Sequence, residues 1–402
     1  MTQPKIALAH EFLVQYGGAE KTFEEIAKIF PDSPIYTAKY DPKHMSEYLK
    51  SREIIYPKGI LNNIASKLFF LFTMPTIFES FDFRNYDIVI SDGNTWNKGI
   101  ITKPEQLHIT YIHTPPRFLY KYSQESTKWE KPFFRPIYSY ISNALRIWDY
   151  VSAQRPDFIL TNSENTRKRI KKFYGRDSKV IYPPVDLDFK VEDGLKKATV
   201  PYFVAVGRLS KYKNFDLLIE TFNKVRFPLV IVGTGLEEDK LKAIAKDNIT
   251  FKGRASDEEK HQILENCEGL INPIVEEDFG IVPIEAMAHG KPVLVHKSGG
   301  HLETVIEGED GMFFEDLTVN SLSEKLIEFD KAIKNKQFNH EKIKEHAQRF
   351  SRERFTAEFE NYVREKWEEH QRNAWVSRSI YNFTRFKENY HRIYHNKHPN
   401  IH

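Results

Sequence analysis

The sequence predicts an α/β protein of two Rossmann-like domains, and three observations predict it. At 402 residues the chain is longer than one hydrophobic core usually supports. Short apolar runs of strand character alternate with segments of helical periodicity, the pattern of a parallel sheet covered by helices. Finally, the opening of a Rossmann-like unit, a buried strand followed by a glycine-containing loop and a helix, occurs twice, first at Ile6 and again at Tyr202.

Composition narrows the function classes. A hydrophobic fraction of 40% fits a globular protein, and a net charge of +3 without a dense Lys/Arg face disfavours nucleic acid as a partner. The single cysteine, Cys267, has no internal disulfide partner and reads as a buried thiol in a reducing compartment. Strand-like sequence starts at Lys5 with no charged-then-apolar leader ahead of it, as in a cytoplasmic protein. The most apolar window, Leu68 to Phe78, is shorter than the ~20 residues a bilayer requires and contains Pro75; it reads either as core or as a membrane-surface segment.

Along the first half, Ile6 to Ala9 form a buried strand, and the loop His10 to Gly18 leads into a helix with Phe23, Ile26, Ala27 and Phe30 at helical spacing. Gly17 and Gly18 do not spell the dinucleotide fingerprint, so no nicotinamide cofactor is indicated; they supply backbone able to approach a ligand closely. Further strands are expected at Asp87 to Ile90, His108 to Ile112 and Asp157 to Leu160. His113 directly follows the second of these, at a carboxyl edge where open α/β sheets bind ligands, with Pro115 and Pro116 stiffening the turn. Asp186 and Asp188 spell a D-x-D, but two carboxylates do not complete an octahedral metal site, and they fall where the chain crosses between domains. No metal is assigned to them. The polar run Val191 to Thr199 is the expected linker.

In the second half, the strand Tyr202 to Val206 delivers Arg208 and then Lys213 to the start of a helix, Phe215 to Val225. Two cations at such an edge suit a diphosphate leaving group, on which bond breaking concentrates negative charge. Leu229 to Val232 is another buried strand, and Gly233, Thr234 and Gly235 after it lack the third glycine of a dinucleotide site. Ser298, Gly299 and Gly300 read as a turn before a helix near His301. The most informative stretch is Glu276 to Gly290, E-E-D-F-G-I-V-P-I-E-A-M-A-H-G. It places Glu277 on a loop after a buried strand and Glu285 one to two turns into the next helix. The amides of Phe279, Gly280 and Ile281 lie at the helix start, where unpaired N–H groups favour an anion.

The spelling E-x-F-G-I-x-x-x-E followed by A-M-A-x-G resembles the signature of the retaining glycosyltransferases of family 4, which have the two-domain GT-B architecture. That resemblance covers nearly all of residues 5 to 367. It implies that Glu277 binds hydroxyls of the donor sugar and Glu285 the ribose of the nucleotide. Arg208 and Lys213, in G-R-x-x-x-x-K, match the diphosphate-binding pair. Gly17 and Gly18, in G-G-A-E, resemble the loop facing the phosphates and the acceptor, and Arg254, in I-T-F-K-G-R, is a base-side candidate. The segment Y-I-H-T-P-P-R through Y-P-P-V-D resembles a subgroup rich in mannosyltransferases of surface polysaccharides, which would put His113 near the reacting carbon.

The implied organisation is an N-terminal acceptor-side domain over 1–190 and a nucleotide-sugar domain over 198–349. A closing helix returns to the first domain over 350–370, and a basic aromatic tail occupies 371–402. The tail reads either as a binder of anionic membrane surface or as a solvated or disordered end. The implied partners are a nucleotide-sugar donor and a glycan or lipid-linked acceptor, with no cofactor beyond the donor itself and no required metal. Sequence leaves the oligomeric state open. A nucleotide-sugar epimerase of the same architecture and a non-catalytic membrane-surface scaffold are the rival readings.

Overall fold

The computed structural model describes residues 3–57, 70–122, 135–187, 189 and 200–373. Asp188, the linker Val191 to Thr199, the first two residues of the Leu68 to Phe78 window, and the tail from 374 onward lie outside the described residues. Two parallel sheets form the two expected domains. The first holds seven strands in the order β3-β2-β1-β4-β5-β6-β7. These are β1 (Ile6–His10), β2 (Ile35–Thr37), β3 (Ile54–Ile55), β4 (Ile88–Gly93), β5 (Leu107–Ile112), β6 (Phe158–Thr161) and β7 (Lys179–Val180). The second holds six, in the order β10-β9-β8-β11-β12-β13. They are β8 (Phe203–Val206), β9 (Leu229–Val232), β10 (Ile249–Gly253), β11 (Gly269–Asn272), β12 (Val293–His296) and β13 (Gly311–Phe314).

The strand order explains where a ligand can bind. In the first sheet the chain reverses direction of travel between β1 and β4, and in the second between β8 and β11. Loops leaving such neighbouring strands diverge to opposite faces and open a crevice at their carboxyl ends. The loops after β1 and β8 carry Gly17, Gly18, Arg208 and Lys213, and the loop after β11 carries Glu277. Close backbone packing fixes this edge: a Cβ on Gly233, which has φ +135°, would meet the Gly207 carbonyl oxygen at 2.0 Å. The glycines of G-T-G thus serve the packing of the loop after β9 against that after β8.

The apolar window after Leu68 resolves towards core where it is described. The helix Phe70–Ser80 runs through Pro75, forgoing one backbone hydrogen bond, and buries Met74, Ile77 and Phe78 in the first domain. At the other end, the helix over 352–373 inserts Phe355, Phe359 and Val363 among Leu8, Ile90 and Tyr111 of the first domain. Phe350, two residues before that helix, belongs to the core of the second domain. The crossover therefore falls at Ser351, as the expected closing helix requires. The returning chain runs beside the outgoing one: the Val185 amide donates to the Phe350 carbonyl at 2.9 Å, and Arg352 pairs with Asp186 at 2.8 Å.

Candidate active site in the interdomain cleft

The second-domain lip begins where β11 ends. Glu276 takes a left-handed backbone conformation (φ +55°), unusual for a residue with a side chain, and turns the chain sharply so that Glu277 projects from the loop. Gly280 follows at φ +100° and starts the helix Ile281–Ala288. That angle favours a glycine, and a Cβ would also make a tight contact of 3.3 Å with the His301 ring. Among the described residues no acceptor takes up the amides of Phe279, Gly280 and Ile281. They leave the helix start open to an anion.

Glu277 is partly exposed to the cleft. Burial pushes its carboxyl up, but the opposing charges, that of Lys213 foremost and that of Arg117 among the rest, hold it below the ordinary carboxylate value. Lys213 itself leans over the loop after β8, its ammonium 3.5 Å from where a side-chain carbon on Gly207 would stand. One turn into the helix, Glu285 is 5% exposed and receives Lys260 at 2.5 Å. Lys260 also contacts Asp257 at 3.3 Å, and Asp257 reaches across the cleft to Lys21 at 2.6 Å.

The first-domain lip is built on β1, β4 and β5. Register pairs His10 with Asp92 on adjacent strands. The fully buried Asp92 carboxylate accepts from His10 Nδ1 at 2.8 Å and lies 3.2 and 3.0 Å from His113 Nε2 through its two oxygens. Burial pushes Asp92 up, yet the two imidazoles outweigh it and keep the acid below its usual value. Burial likewise presses His10 down, but its bond to Asp92 wins and raises it. Because an ionised carboxylate only accepts, His113 presents a proton to Asp92 from Nε2 and turns Nδ1 to the other side. Gly17 caps the helix Gly18–Ile29, and a Cβ on Gly18 would approach Ile281 of the opposite lip to 3.1 Å. A cavity of about 270 Å³ between the lips is lined by Gly17, Gly18, Lys21, Lys260, Ile281 and Glu285.

The structure thus brings Gly17, Gly18, His113, Arg208, Lys213, Glu277, Phe279, Gly280, Ile281 and Glu285 to the facing edges of the two sheets. Arg208 is exposed and donates to Gln15 across the cleft at 3.1 Å. Arg254 stands apart: it is exposed after β10, the edge strand, two strands from the crevice. Sequence reasoning missed His10, Asp92, Arg117, Arg169 and Lys260. For the first two a signal existed, since both lie at or just past the carboxyl ends of strands the sequence marks, Ile6 to Ala9 and Asp87 to Ile90. Arg169 and Lys260 lie on helices whose local pattern is that of a solvated face, and Arg117 opens the short helix Arg117–Tyr120.

Two protein-family models match this chain: Glycosyltransferase Family 4 over residues 16–189 and Glycosyl transferases group 1 over residues 188–350. The alpha-1,3/1,6-mannosyltransferase ALG2 of Dictyostelium discoideum is 24% identical, over 76% of this chain and 85% of that protein. The O-antigen chain mannosyltransferase RfbU of Salmonella typhimurium is 32% identical over 41% of this chain and 49% of its own length. In fold, sucrose-phosphate synthase from Thermosynechococcus elongatus superposes with a TM-score of 0.71 over 90% of this chain and 99% of that one, at 17% identity.

Proposed function

Since the chain belongs to the family 4 type of GT-B glycosyltransferases, we propose that it is a retaining, metal-independent hexosyltransferase that moves mannose from GDP-mannose to a glycan or lipid-linked acceptor in cell-surface polysaccharide synthesis. The observation that carries this reading is the placement of an ionised Glu277 beside Lys213 on a loop that opens into unpartnered helix amides. A carboxylate held ionised accepts hydroxyls of a sugar. The adjacent cations and amides accept the phosphates to which that sugar is attached.

In the proposed reaction the bond between the anomeric carbon and the diphosphate breaks while Arg208 and Lys213 stabilise the departing charge. The acceptor hydroxyl attacks from the same face, and its proton passes to a phosphate oxygen of the leaving group. Glu285 holds the ribose, releasing Lys260 towards Asp257. His113, locked by Asp92, offers Nδ1 to the sugar. The two fixed cations take the place a metal fills in other transferases. The mannose assignment draws on relatives named as mannosyltransferases, and the polysaccharide assignment on the relative named for O-antigen. No helix among the described residues is long and apolar enough to cross a membrane; we place the enzyme in the cytoplasm, with any membrane contact peripheral.

The test incubates the protein with a panel of nucleotide sugars and mannosylated lipid or oligosaccharide acceptors, with and without excess chelator. Expected are acceptor-dependent release of GDP from GDP-mannose, unaffected by chelator, and an α-linked product by NMR. Turnover without acceptor identifies an epimerase or hydrolase, and restoration of chelated enzyme by Mg²⁺ overturns metal independence.

A further inference from the structure

The loop that carries Glu277 is gripped from the other domain. Arg117, on the helix Arg117–Tyr120, donates through Nη2 to Asp278 Oδ1 at 2.5 Å and to the Glu276 carbonyl at 3.1 Å. Arg169, on the helix Glu164–Tyr174, donates through Nη1 to the same Asp278 oxygen. Through Nη2 it reaches the Glu276 carbonyl at 3.0 Å and the Glu276 carboxylate at 3.1 Å. Ser163 Oγ donates to the Asp278 carbonyl at 2.6 Å, and Asn165 Nδ2 to the Glu277 carbonyl at 3.1 Å. Glu303, which follows β12, accepts the amides of Glu164 and Asn165 at 2.7 Å each, so the second domain caps the helix that bears Arg169.

Two like charges on one carboxylate need a reason. Both guanidiniums lie against the ring of Tyr122, at 4.5 Å for Arg169 and 5.2 Å for Arg117, which offsets their mutual repulsion. Each arginine side chain is only 8% exposed. The contacts of both guanidiniums with the second domain converge on Glu276 and Asp278 of one loop, and Ser163 and Asn165 add bonds to Asp278 and Glu277. That loop contains the left-handed Glu276, a conformation that persists only where surrounding contacts over-determine it. From the second domain, Ser298 Oγ accepts the Glu276 amide at 2.8 Å and the Gly300 amide donates to the Glu277 carbonyl at 2.7 Å.

We propose that Arg117 and Arg169 are positioning residues: the first domain sets the conformation of the donor loop, so that Glu277 reaches its sugar-binding pose only when the domains are closed. Binding of the nucleotide portion, through residues of the second domain, is independent of this clamp; engagement of the sugar depends on it. Closure and sugar recognition are then one event, which keeps the reactive donor from being exposed to water in an open cleft. This inference rests on the transferase reading.

The experiment uses the full chain with GDP-mannose, GDP and the acceptor that supports wild-type turnover in the panel above. Arg169→Ala, Arg169→Lys, Asp278→Ala and the double variant Arg169→Ala/Asp278→Ala are compared. Expected is a loss of tenfold or more in kcat/KM for Arg169→Ala and Asp278→Ala, GDP affinity within about twofold of wild type, and partial rescue by Arg169→Lys. The double variant should lose less than the product of the two single losses, because the two substitutions share the Arg169–Asp278 contact while each also removes contacts of its own. Equal weakening of GDP binding and turnover, or single losses that multiply in the double variant, overturns the clamp while leaving the transferase reading intact. A wild-type protein that turns over no nucleotide sugar of the panel overturns the transferase reading, and the clamp's catalytic role with it.

Discussion

Replacing Lys213 with methionine separates two tasks that the site gives to one ammonium. Lys213 is the leading charge that holds Glu277 below its ordinary titration range against the upward push of burial. In the proposed reaction it also stands at the edge where the leaving diphosphate gains charge. Loss of the second task should lower kcat by the 10²- to 10³-fold typical of removing one oxyanion-stabilising donor, or about 3–4 kcal/mol. Loss of the first changes the pH profile. In its proposed role Glu277 must be ionised to accept sugar hydroxyls, so activity is expected to fall as pH drops through its pKa. In the wild type that limb lies below about 4.5 and is out of the working range. Without Lys213, burial is opposed only by His301, Arg117 and the Asp278 amide, and the limb moves up, a rise of one pH unit corresponding to about 1.4 kcal/mol less preference for the carboxylate. Steady-state rates from pH 4.5 to 8 test this, with Arg208→Ala as the comparison. That variant should lose turnover with its acid limb unmoved, since Arg208 turns to Gln15 rather than to Glu277. If Lys213→Met keeps the wild-type limb and resembles Arg208→Ala throughout, Lys213 does not control Glu277 and the electrostatic account of the site is wrong.

Two further expectations concern the fold. Burial pushes the Cys267 thiol up to about 12, so at pH 8 on the order of one thiol in 10⁴ is ionised, and Ellman's reagent should label the protein only after denaturant is added. Burial also depresses His108 to about 3 and His289 to about 4. Between these values and about 6.5 the unfolded chain binds protons that the folded one refuses, so stability is present above 6.5 and drains as pH falls, by up to about 1.4 kcal/mol per pH unit for each histidine. Calorimetric melting from pH 7 to 4.5 should show a falling Tm, with a flatter slope in His108→Gln; an unchanged slope assigns the acid sensitivity elsewhere.

What sequence made legible was everything carried by local pattern. The alternation of strands and helices, the paired glycine-loop openings and the glycine at position 280 all follow from short-range stereochemistry; the expected strands overlap β1, β4, β5, β6, β8, β9 and β11, whereas the short strands β2, β3 and β7 and the strands β12 and β13 were not anticipated. The two acids of the donor stretch were legible because strand, loop and helix are consecutive in the chain. The clamp was not. Arg169 and Asp278 are separated by 109 positions and Arg117 and Asp278 by 161, and a charged residue on a helix face looks the same whether it meets solvent or another domain. Lys260 was missed for the same reason: it sits on the helix Asp257–Asn266 among acids, which reads as an exposed face, yet it is turned inward onto Glu285. His10 and Asp92 fall between these cases, because the strands were recognisable but their adjacency depends on sheet order.

The measurement that bears most directly on the cleft is calorimetric titration of Glu277→Gln with GDP-mannose and with GDP, alongside Glu285→Gln. Glutamine keeps the shape of the side chain but loses the charge that, in the proposed assignment, accepts sugar hydroxyls, while Lys213, Arg208, the helix amides and Glu285, the groups proposed for the nucleotide, remain. Glu277→Gln is therefore expected to lose affinity for the intact donor and to bind GDP nearly as the wild type does, whereas Glu285→Gln should weaken both ligands together. Equal weakening of donor and GDP by Glu277→Gln would contradict the division of the cleft into a sugar-reading loop and a nucleotide-reading helix.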